Sequence, residues 1–361
     1  MEDSDYMSIA LKLAVKGMGY VNPNPMVGAV IVKEDRVIGA GYHEKYGGFH
    51  AEINALRSCT ESPKGSVIYV TLEPCCHYGK TPPCTEAIVK SGISKVVIGS
   101  NDPNPLVKGR SILYLKEHRI EVVQGVLKEQ CDEINKPFFH YISTSTPYIM
   151  MKYAMTMDGK IACYTGKSKW ISGEEARLDV QNDRKRYSAI MVGVNTIIND
   201  DSLLTFREKK ELNPIRIICD TQLRTPITSK VITTAKDIKT IIATCCLEKQ
   251  KHKKYIDCGC KILCISKKDN KVNLKELINK LGALGIDSII LEGGSELNFS
   301  ALKAGIVQKV KVYIAPKIFG GDKAKSPVGG VGIELPAEAF YINNKKVKSM
   351  GNDILVEGEL I

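Results

Sequence analysis

Apolar residues recur at near-helical spacing between positions 7 and 18 (Met7, Ala10, Leu11, Ala14, Val15, Met18), and Gly17 and Gly19 close the pattern. This spacing predicts an amphipathic helix. Two β-type runs follow, 28–32 and 36–42, around the polar turn Lys33-Glu34-Asp35. Helix-like and strand-like segments then alternate: helix 50–59, strand 67–72, helix 84–91, strand 95–99, helix 111–118, strand 121–124. Pro82 and Pro83 suit a helix start, where a missing amide hydrogen costs nothing. Such alternation predicts an α/β layered domain.

The small polar run Ser143-Thr144-Ser145-Thr146-Pro147 predicts a boundary, giving domains 1–145 and 146–361. A second α/β series follows it. Strands are expected at 148–155, 189–194, 215–219, 240–244, 288–292 and 309–314, and helices at 174–185, 274–281 and 296–304. Residues 195–202 read as a polar loop. No fixed-period repeat and no low-complexity tract interrupts either series.

A length of 361 residues fits two domains, and 43% hydrophobic with 25% charged residues is the balance of a water-soluble fold. No apolar run is long enough to span a bilayer. The start, Met1-Glu2-Asp3-Ser4-Asp5, is acidic and lacks the pattern of a secretory signal, so a cytoplasmic location is expected. Twelve cysteines in that compartment point to buried thiols or metal ligands rather than disulfides. The net charge of +11 attracts anions. Its lysines are dispersed, and the run Lys251–Lys254 lies far from every motif, so most of this charge reads as solvated surface rather than a nucleic-acid footprint.

Three of the six histidines (His43, His50, His77) and three of the twelve cysteines (Cys75, Cys76, Cys84) fall between positions 43 and 84. Displacing an amino group from an electron-poor ring at neutral pH requires a strong oxygen nucleophile. One imidazole and two thiolates can hold zinc with a position open to water, which zinc makes far more acidic. A carboxylate that is not a ligand must then move protons, and Glu52, two residues after His50, can supply it. Helix starts at His50 and Cys84 would favour thiolate. The order H-x-E … P-C-x-x-C describes zinc deaminases. Here eight residues, Cys76 to Pro83, separate Cys75 from Cys84. Cys76 and His77 compete as ligands, and Cys75 is preferred because it follows Pro74. A closed structural site usually pairs C-x-x-C knuckles and needs no adjacent glutamate, so the catalytic reading leads.

Taken together, Asn22-Pro23-Asn24-Pro25-Met26-Val27-Gly28, His50-Ala51-Glu52, the run from Thr71 to Cys84, and Asp102-Pro103-Asn104-Pro105 resemble the bifunctional riboflavin-biosynthesis deaminase–reductases. The long Cys–Cys insertion is a hallmark of that family. Downstream, Lys152 to Ala162, Ser168-Lys169-Trp170-Ile171-Ser172, Val192-Gly193-Val194-Asn195-Thr196 and Leu291-Glu292-Gly293-Gly294-Ser295 continue the resemblance. It implies a cytidine-deaminase-like three-layer domain followed by a dihydrofolate-reductase-like α/β domain. It implies zinc at His50, Cys75 and Cys84, Glu52 as the catalytic carboxylate, and deaminase substrate contacts at Asn24, His43, His77 and Lys80. The implied reactions are removal of an amino group from diaminohydroxyphosphoribosylaminopyrimidine, then NADPH-dependent reduction of the ribosyl group to ribityl.

The turn Glu292-Gly293-Gly294-Ser295 follows an apolar strand and opens a helix, an arrangement that lets a phosphate approach the backbone. It lacks G-x-G-x-x-G, so the spacing alone carries little. By resemblance, Ala154, Trp170, Thr196, Asp200, Gly293, Gly294 and Ser295 contact NADPH. Ser168, Arg184, Leu204, Arg207 and Glu292 contact the reductase substrate, with Arg184 and Arg207 suited to bidentate phosphate binding. Lys152 is a candidate acid. The family's Asp-Pro is Asp201-Ser202 here. Trp170, the single tryptophan, reads otherwise as core packing. Cys245, Cys246, Cys258, Cys260 and Cys264 fit no zinc spacing and read as buried or incidental thiols. The expected partners are phosphorylated pyrimidines and further copies of the chain, with neither nucleic acid nor membrane. An RNA-editing deaminase with an accessory domain is the competing reading. An aromatic content of 6% with no basic–aromatic ladder argues against it. A non-catalytic zinc scaffold leaves Glu52 unexplained.

Overall fold

A computed structural model describes residues 1–78, 82–104 and 107–360. The chain divides into two compact units, Met1–Ser145 and Thr146–Ile361.

The first unit runs α1 (Asp3–Ala14), β1 (Gly28–Lys33), β2 (Arg36–Tyr42), α2 (Ala51–Arg57), β3 (Val67–Leu72), α3 (Cys84–Ser91), β4 (Lys95–Ser100), α4 (Arg110–Glu117), β5 (Glu121–Gln124) and α5 (Lys128–Thr144). Its five strands lie in the order β2-β1-β3-β4-β5. β1 pairs antiparallel with β2 and β3, and β3, β4 and β5 are parallel. Alternation along β1 shows why helices cover both faces. Ala29 and Ile31 join a core with Ala51, Ala55, Ile88 and Leu115 of α2, α3 and α4. Val30 and Val32 point the other way, to Tyr6, Met7, Ala10 and Cys131 of α1 and α5. This makes three layers.

Helix α5, 17 residues long, escapes a pattern reading. Pro137 sits inside it, and an interior proline argues against a helix because it removes a backbone hydrogen bond. Burial of Cys131, Asn135 and Pro137 against the sheet side outweighs that loss. Helix α1 begins four residues earlier than its apolar stripe, with Asp3 and Asp5 in its first turn, where acidic side chains complement the helix dipole.

The second unit runs β6 (Tyr148–Thr156), α6 (Glu174–Arg186), β7 (Ala189–Gly193), α7 (Val194–Asp200), β8 (Ile215–Cys219), α8 (Lys230–Thr233), β9 (Thr240–Thr244), α9 (Lys249–Asp257), β10 (Lys261–Cys264), the short β11 (Lys267–Lys268) and β12 (Lys271–Val272), α10 (Leu274–Ala283), β13 (Ser288–Leu291), α11 (Ser295–Lys303), β14 (Lys309–Ala315), β15 (Ile342–Met350) and β16 (Asp353–Leu360). Nine strands form one sheet, β10-β9-β8-β7-β13-β6-β14-β16-β15. Neighbours from β10 to β14 are parallel, and β16 and β15 close the edge antiparallel. Parallel strands covered on both faces read as continuous apolar runs. Ile149, Met191, Ile217 and Ile289 face one core, and Met150, Ile190, Ile218 and Ile290 face the other.

The structure corrects the loop expected over 195–202. Most of it is α7, whose Val194 and Ile197 are buried in the core beneath β7. Two apolar residues one turn apart in a polar stretch are too faint a periodicity to detect. The lysine run at 251–254 lies on α9, where only Tyr255 is buried, so it is a solvated face.

Candidate functional site

In the first unit, three chain segments converge. His50 is the residue before α2, which puts Glu52 in the first turn, buried. Strand β3 ends at Leu72 and releases Glu73, Pro74 and Cys75. Cys84 opens α3. The Cys75 carbonyl accepts the Thr85 amide at 3.2 Å, which ties Cys75 to the first turn of α3. The Sγ atoms of Cys75 and Cys84 lie 3.5 and 3.3 Å from His50 Nδ1. All three ligand atoms fall within 4.8 Å of one another, the one such group among the described residues. Cys76 and His77 are outside it. The Cys245–Cys264 thiols form no such group either.

The donor set suits zinc: one imidazole, two thiols and room for a fourth ligand. The hydrogen bond that Cys84 shares with Cys75 pulls the Cys75 thiol down to about 4, against burial and with help from His50. The Cys75 hydrogen bond raises His50 to about 9, with burial opposing. Burial pushes the Glu52 carboxyl up while His50 pulls it down. Glu52 Oε2 is buried with no hydrogen-bond partner, as is His77 Nδ1. Such orphaned atoms are costly unless a ligand meets them.

A cavity of about 330 Å³ opens over this group. Asn24, His43, His77, Asp102 and Asn104 line it with polar atoms. His43 is held in one tautomer: Nδ1–H donates to the Phe49 carbonyl at 2.9 Å, and Nε2 accepts from Asn24 Nδ2 at 3.1 Å. Burial lowers the His43 imidazole, which keeps it neutral. Asp102 Oδ1 accepts the Asn104 amide at 2.8 Å, so this pair both forms a turn and faces the cavity. Burial raises Asp102 to about 6. Lys80 lies outside the described residues.

Sequence reading missed several contributors. Buried Glu73 accepts from the amides of Asp102 and Gly109 at 3.3 and 2.9 Å and from the Ser111 hydroxyl, fixing the loop that carries Asp102. Phe138 and Ile142 of α5 supply an apolar wall. Only the adjacency of Glu73 to Pro74-Cys75 hinted at any of these.

In the second unit, the turn after β13 carries Glu292, Gly293, Gly294 and Ser295 into α11. Gly293 has φ +88°, which an L side chain adopts only at a cost. The Gly193 amide donates to the Gly293 carbonyl at 2.8 Å, and a methyl group on Gly294 would sit 3.5 Å from Thr196 Oγ1. Thus Thr196 and the Gly-Gly turn share one end of the sheet. Asp200 ends α7, and Ala154 lies on β6 opposite Tyr313.

Arg184 aims both arms of its fork at Glu292, Nε and Nη2 each donating at 2.9 Å, and Nη1 donates to the Thr205 carbonyl at 3.0 Å. The bidentate pairing expected with phosphate is therefore made inside the chain. Lys152 Nζ stands 3.7 Å from the same carboxylate. Burial pushes Glu292 up, but Arg184 and then Lys152 outweigh it and hold it at about 2. Leu204, the residue before Thr205, is buried at φ +56°. Arg207 is exposed, its amide donating to Gln181 at 3.1 Å. Ser168 is half-buried. Trp170 is 56% exposed with the Arg177 guanidinium 4.8 Å from its ring, so core packing does not explain it.

A His-Cys-Cys site with a buried glutamate beside it is the arrangement of a zinc deaminase, and a parallel-sheet unit with a Gly-Gly turn follows it. Residues 1–100 match the cytidine and deoxycytidylate deaminase zinc-binding region, and residues 147–356 match the RibD C-terminal domain. The riboflavin biosynthesis protein RibD of Actinobacillus pleuropneumoniae is 51% identical over 99% of this chain and 95% of its own length. That of Aquifex aeolicus is 44% identical over 98% and 97%. The structure of Acinetobacter baumannii RibD superimposes with a TM-score of 0.89 at 35% identity, covering 99% of both chains. A Thermotoga maritima diaminohydroxyphosphoribosylaminopyrimidine deaminase/5-amino-6-(5-phosphoribosylamino)uracil reductase does so with a TM-score of 0.86 at 34% identity. The chain belongs to the RibD family of bifunctional riboflavin-biosynthesis enzymes. No helix among the described residues is long and apolar enough to cross a membrane.

Proposed function

We propose that the first unit hydrolyses the exocyclic amino group of diaminohydroxyphosphoribosylaminopyrimidine, and that the second reduces the ribosyl group of the deaminated product to ribityl with NADPH. The observation that carries this reading is the His50–Cys75–Cys84 group, within 4.8 Å, beside the unpartnered Oε2 of buried Glu52. His50, Cys75 and Cys84 hold zinc, which when bound supplies a Lewis acid that makes water reactive at neutral pH. Glu52 accepts the proton of the attacking water and delivers it toward the ring and the departing ammonia. Asn24 and His43 orient the pyrimidine, the neutral imidazole held between Asn24 and the Phe49 carbonyl. His77 and Lys80 complete the substrate contacts.

In the second unit Gly293, Gly294 and Ser295 receive the cofactor phosphates at the start of α11, with Ala154, Trp170, Thr196 and Asp200 around the rest. NADPH, when bound, supplies the hydride. Ser168, Arg184, Leu204, Arg207 and Glu292 position the phosphoribosyl group, and Lys152 stands as proton donor. By family resemblance the enzyme works as a cytoplasmic homo-oligomer, which light scattering of the purified protein tests.

The deciding experiment follows ammonia and then NADPH absorbance with the diaminopyrimidine ribotide as substrate. Ammonia followed by NADPH oxidation is expected. Stripping zinc with a chelator should abolish ammonia release and leave reduction of the deaminated intermediate intact. A zinc-loaded, folded enzyme that releases no ammonia would overturn the reading. Replacing Gly293 with alanine forces a side chain onto φ +88° and costs roughly 1–2 kcal/mol. The KM for NADPH should rise about tenfold with deamination unaffected. An unchanged KM would remove the turn from the cofactor site.

A further inference from the structure

Helix α5 carries a buried amide that the chemistry above leaves unused. Asn135 is 2% exposed. Its Oδ1 accepts the Met26 amide hydrogen at 2.9 Å, and its Nδ2 donates to the Met26 carbonyl at 2.9 Å. The partners stand 109 positions apart in the chain. A side-chain amide that engages both backbone groups of one residue fixes its height and its rotation together, as a rung of an antiparallel ladder would.

Met26 belongs to the irregular segment 21–27, which has no strand or helix pairing of its own. Asn24, Pro25 and Val27 of that segment line the deaminase cavity. The segment grips His43 twice. Asn24 Nδ2 holds the imidazole at 3.1 Å, and the Val27 carbonyl accepts the His43 amide at 2.9 Å. Asn135 therefore pins Met26, one of the two residues between those that hold His43. Phe138 and Ile142, three and seven positions further along α5, share its helical face and reach the same cavity.

We propose that Asn135 is a positioning residue of the deaminase site, acting through Met26 on Asn24 and His43. This rests on the substrate role given to Asn24 and His43 above. A staple with only a structural role would lower stability and leave substrate affinity alone. Loss of a positioning residue raises KM while the zinc ligands and Glu52, carried by other segments, keep kcat.

The test uses the full-length enzyme and the diaminopyrimidine ribotide. Asn135→Ala leaves both Met26 backbone groups buried without partners. The deaminase KM should rise about tenfold with kcat within about threefold. Zinc content and the rate of NADPH oxidation with the deaminated intermediate should be unchanged. Asn135→Asp keeps the acceptor for the Met26 amide but sets a second oxygen against the Met26 carbonyl, so its KM should rise as well. Cys131→Ala is the matched control. This buried residue of the same helix packs against Gly99 of β4, away from the cavity, and should lower thermal stability without moving KM. An unchanged KM in Asn135→Ala, an equal rise in Cys131→Ala, or loss of zinc from Asn135→Ala would each overturn the proposal. No ammonia from the zinc-loaded wild-type enzyme would instead overturn the functional reading beneath it, and the proposal with it.

Discussion

Replacing Glu52 with glutamine is expected to cut the rate of ammonia release by about 10²–10⁴-fold, the usual worth of a positioned general acid–base. The substitution keeps the side chain's size. Glu52 shares a hydrogen bond with Cys84 but is not one of the three grouped ligands, and glutamine can keep such a bond, so zinc content should stay at the wild-type level. NADPH oxidation with the deaminated intermediate should also survive, because Glu52 and the Gly-Gly turn lie in separate compact units. Parallel assays of ammonia, zinc and NADPH on one preparation check this. A variant that still releases ammonia at the wild-type rate would remove Glu52 from catalysis. Loss of both activities would break the two-site scheme.

The second large effect is expected at Glu292, and it falls first on stability. Arg184 and Lys152 both face this buried carboxylate. Removing it in Glu292→Ala leaves two cations without their counter-ion, and breaking a buried pair in this way costs about 3–5 kcal/mol. The melting temperature of the reductase unit should fall by roughly 10 °C. Reduction should be lost, and deamination by the same chain should persist below that transition. Glu292→Gln keeps one acceptor oxygen for Arg184 and should lose less. The sign of the pH dependence follows from the carboxyl's position at about 2, below its ordinary range. Its contribution is complete above the unfolded-state value, roughly pH 4.5, and fades as the pH falls toward 2. Thermal unfolding across that range checks both statements. A wild-type melting temperature in Glu292→Ala would sink the idea that the triad carries stability.

Much of the first unit was legible because its signals are local. Strands over Val67–Leu72 and Glu121–Gln124 and the helix Cys84–Ser91 fall where hydrophobic period and proline placement put them. His50, Glu52, Cys75 and Cys84 stood out because the chemistry demands those residue types in that order. What escaped was non-local. Pro137 disguised α5, and with it Asn135, Phe138 and Ile142, because propensity counts the lost backbone bond and not the packing that offsets it. Glu73 looked like part of a motif, while its role is set by donors at Asp102, Gly109 and Ser111.

The sequence by itself determined most element types, α5 and α7 excepted, and pointed to a two-unit boundary and to the ligand chemistry, since periodicity, turn residues and donor type are properties of short stretches. It preferred Cys75 over Cys76 and His77 as the ligand beside His50, on no more than its place after Pro74. Only the tertiary structure brought Cys75 and Cys84 to His50 and left Cys76 and His77 outside. It also turned Arg184 onto Glu292 rather than outward, and made Asn135 the partner of Met26. Those choices depend on which distant segments meet once both sheet faces are covered, and contact between residues about a hundred positions apart leaves no trace in local pattern.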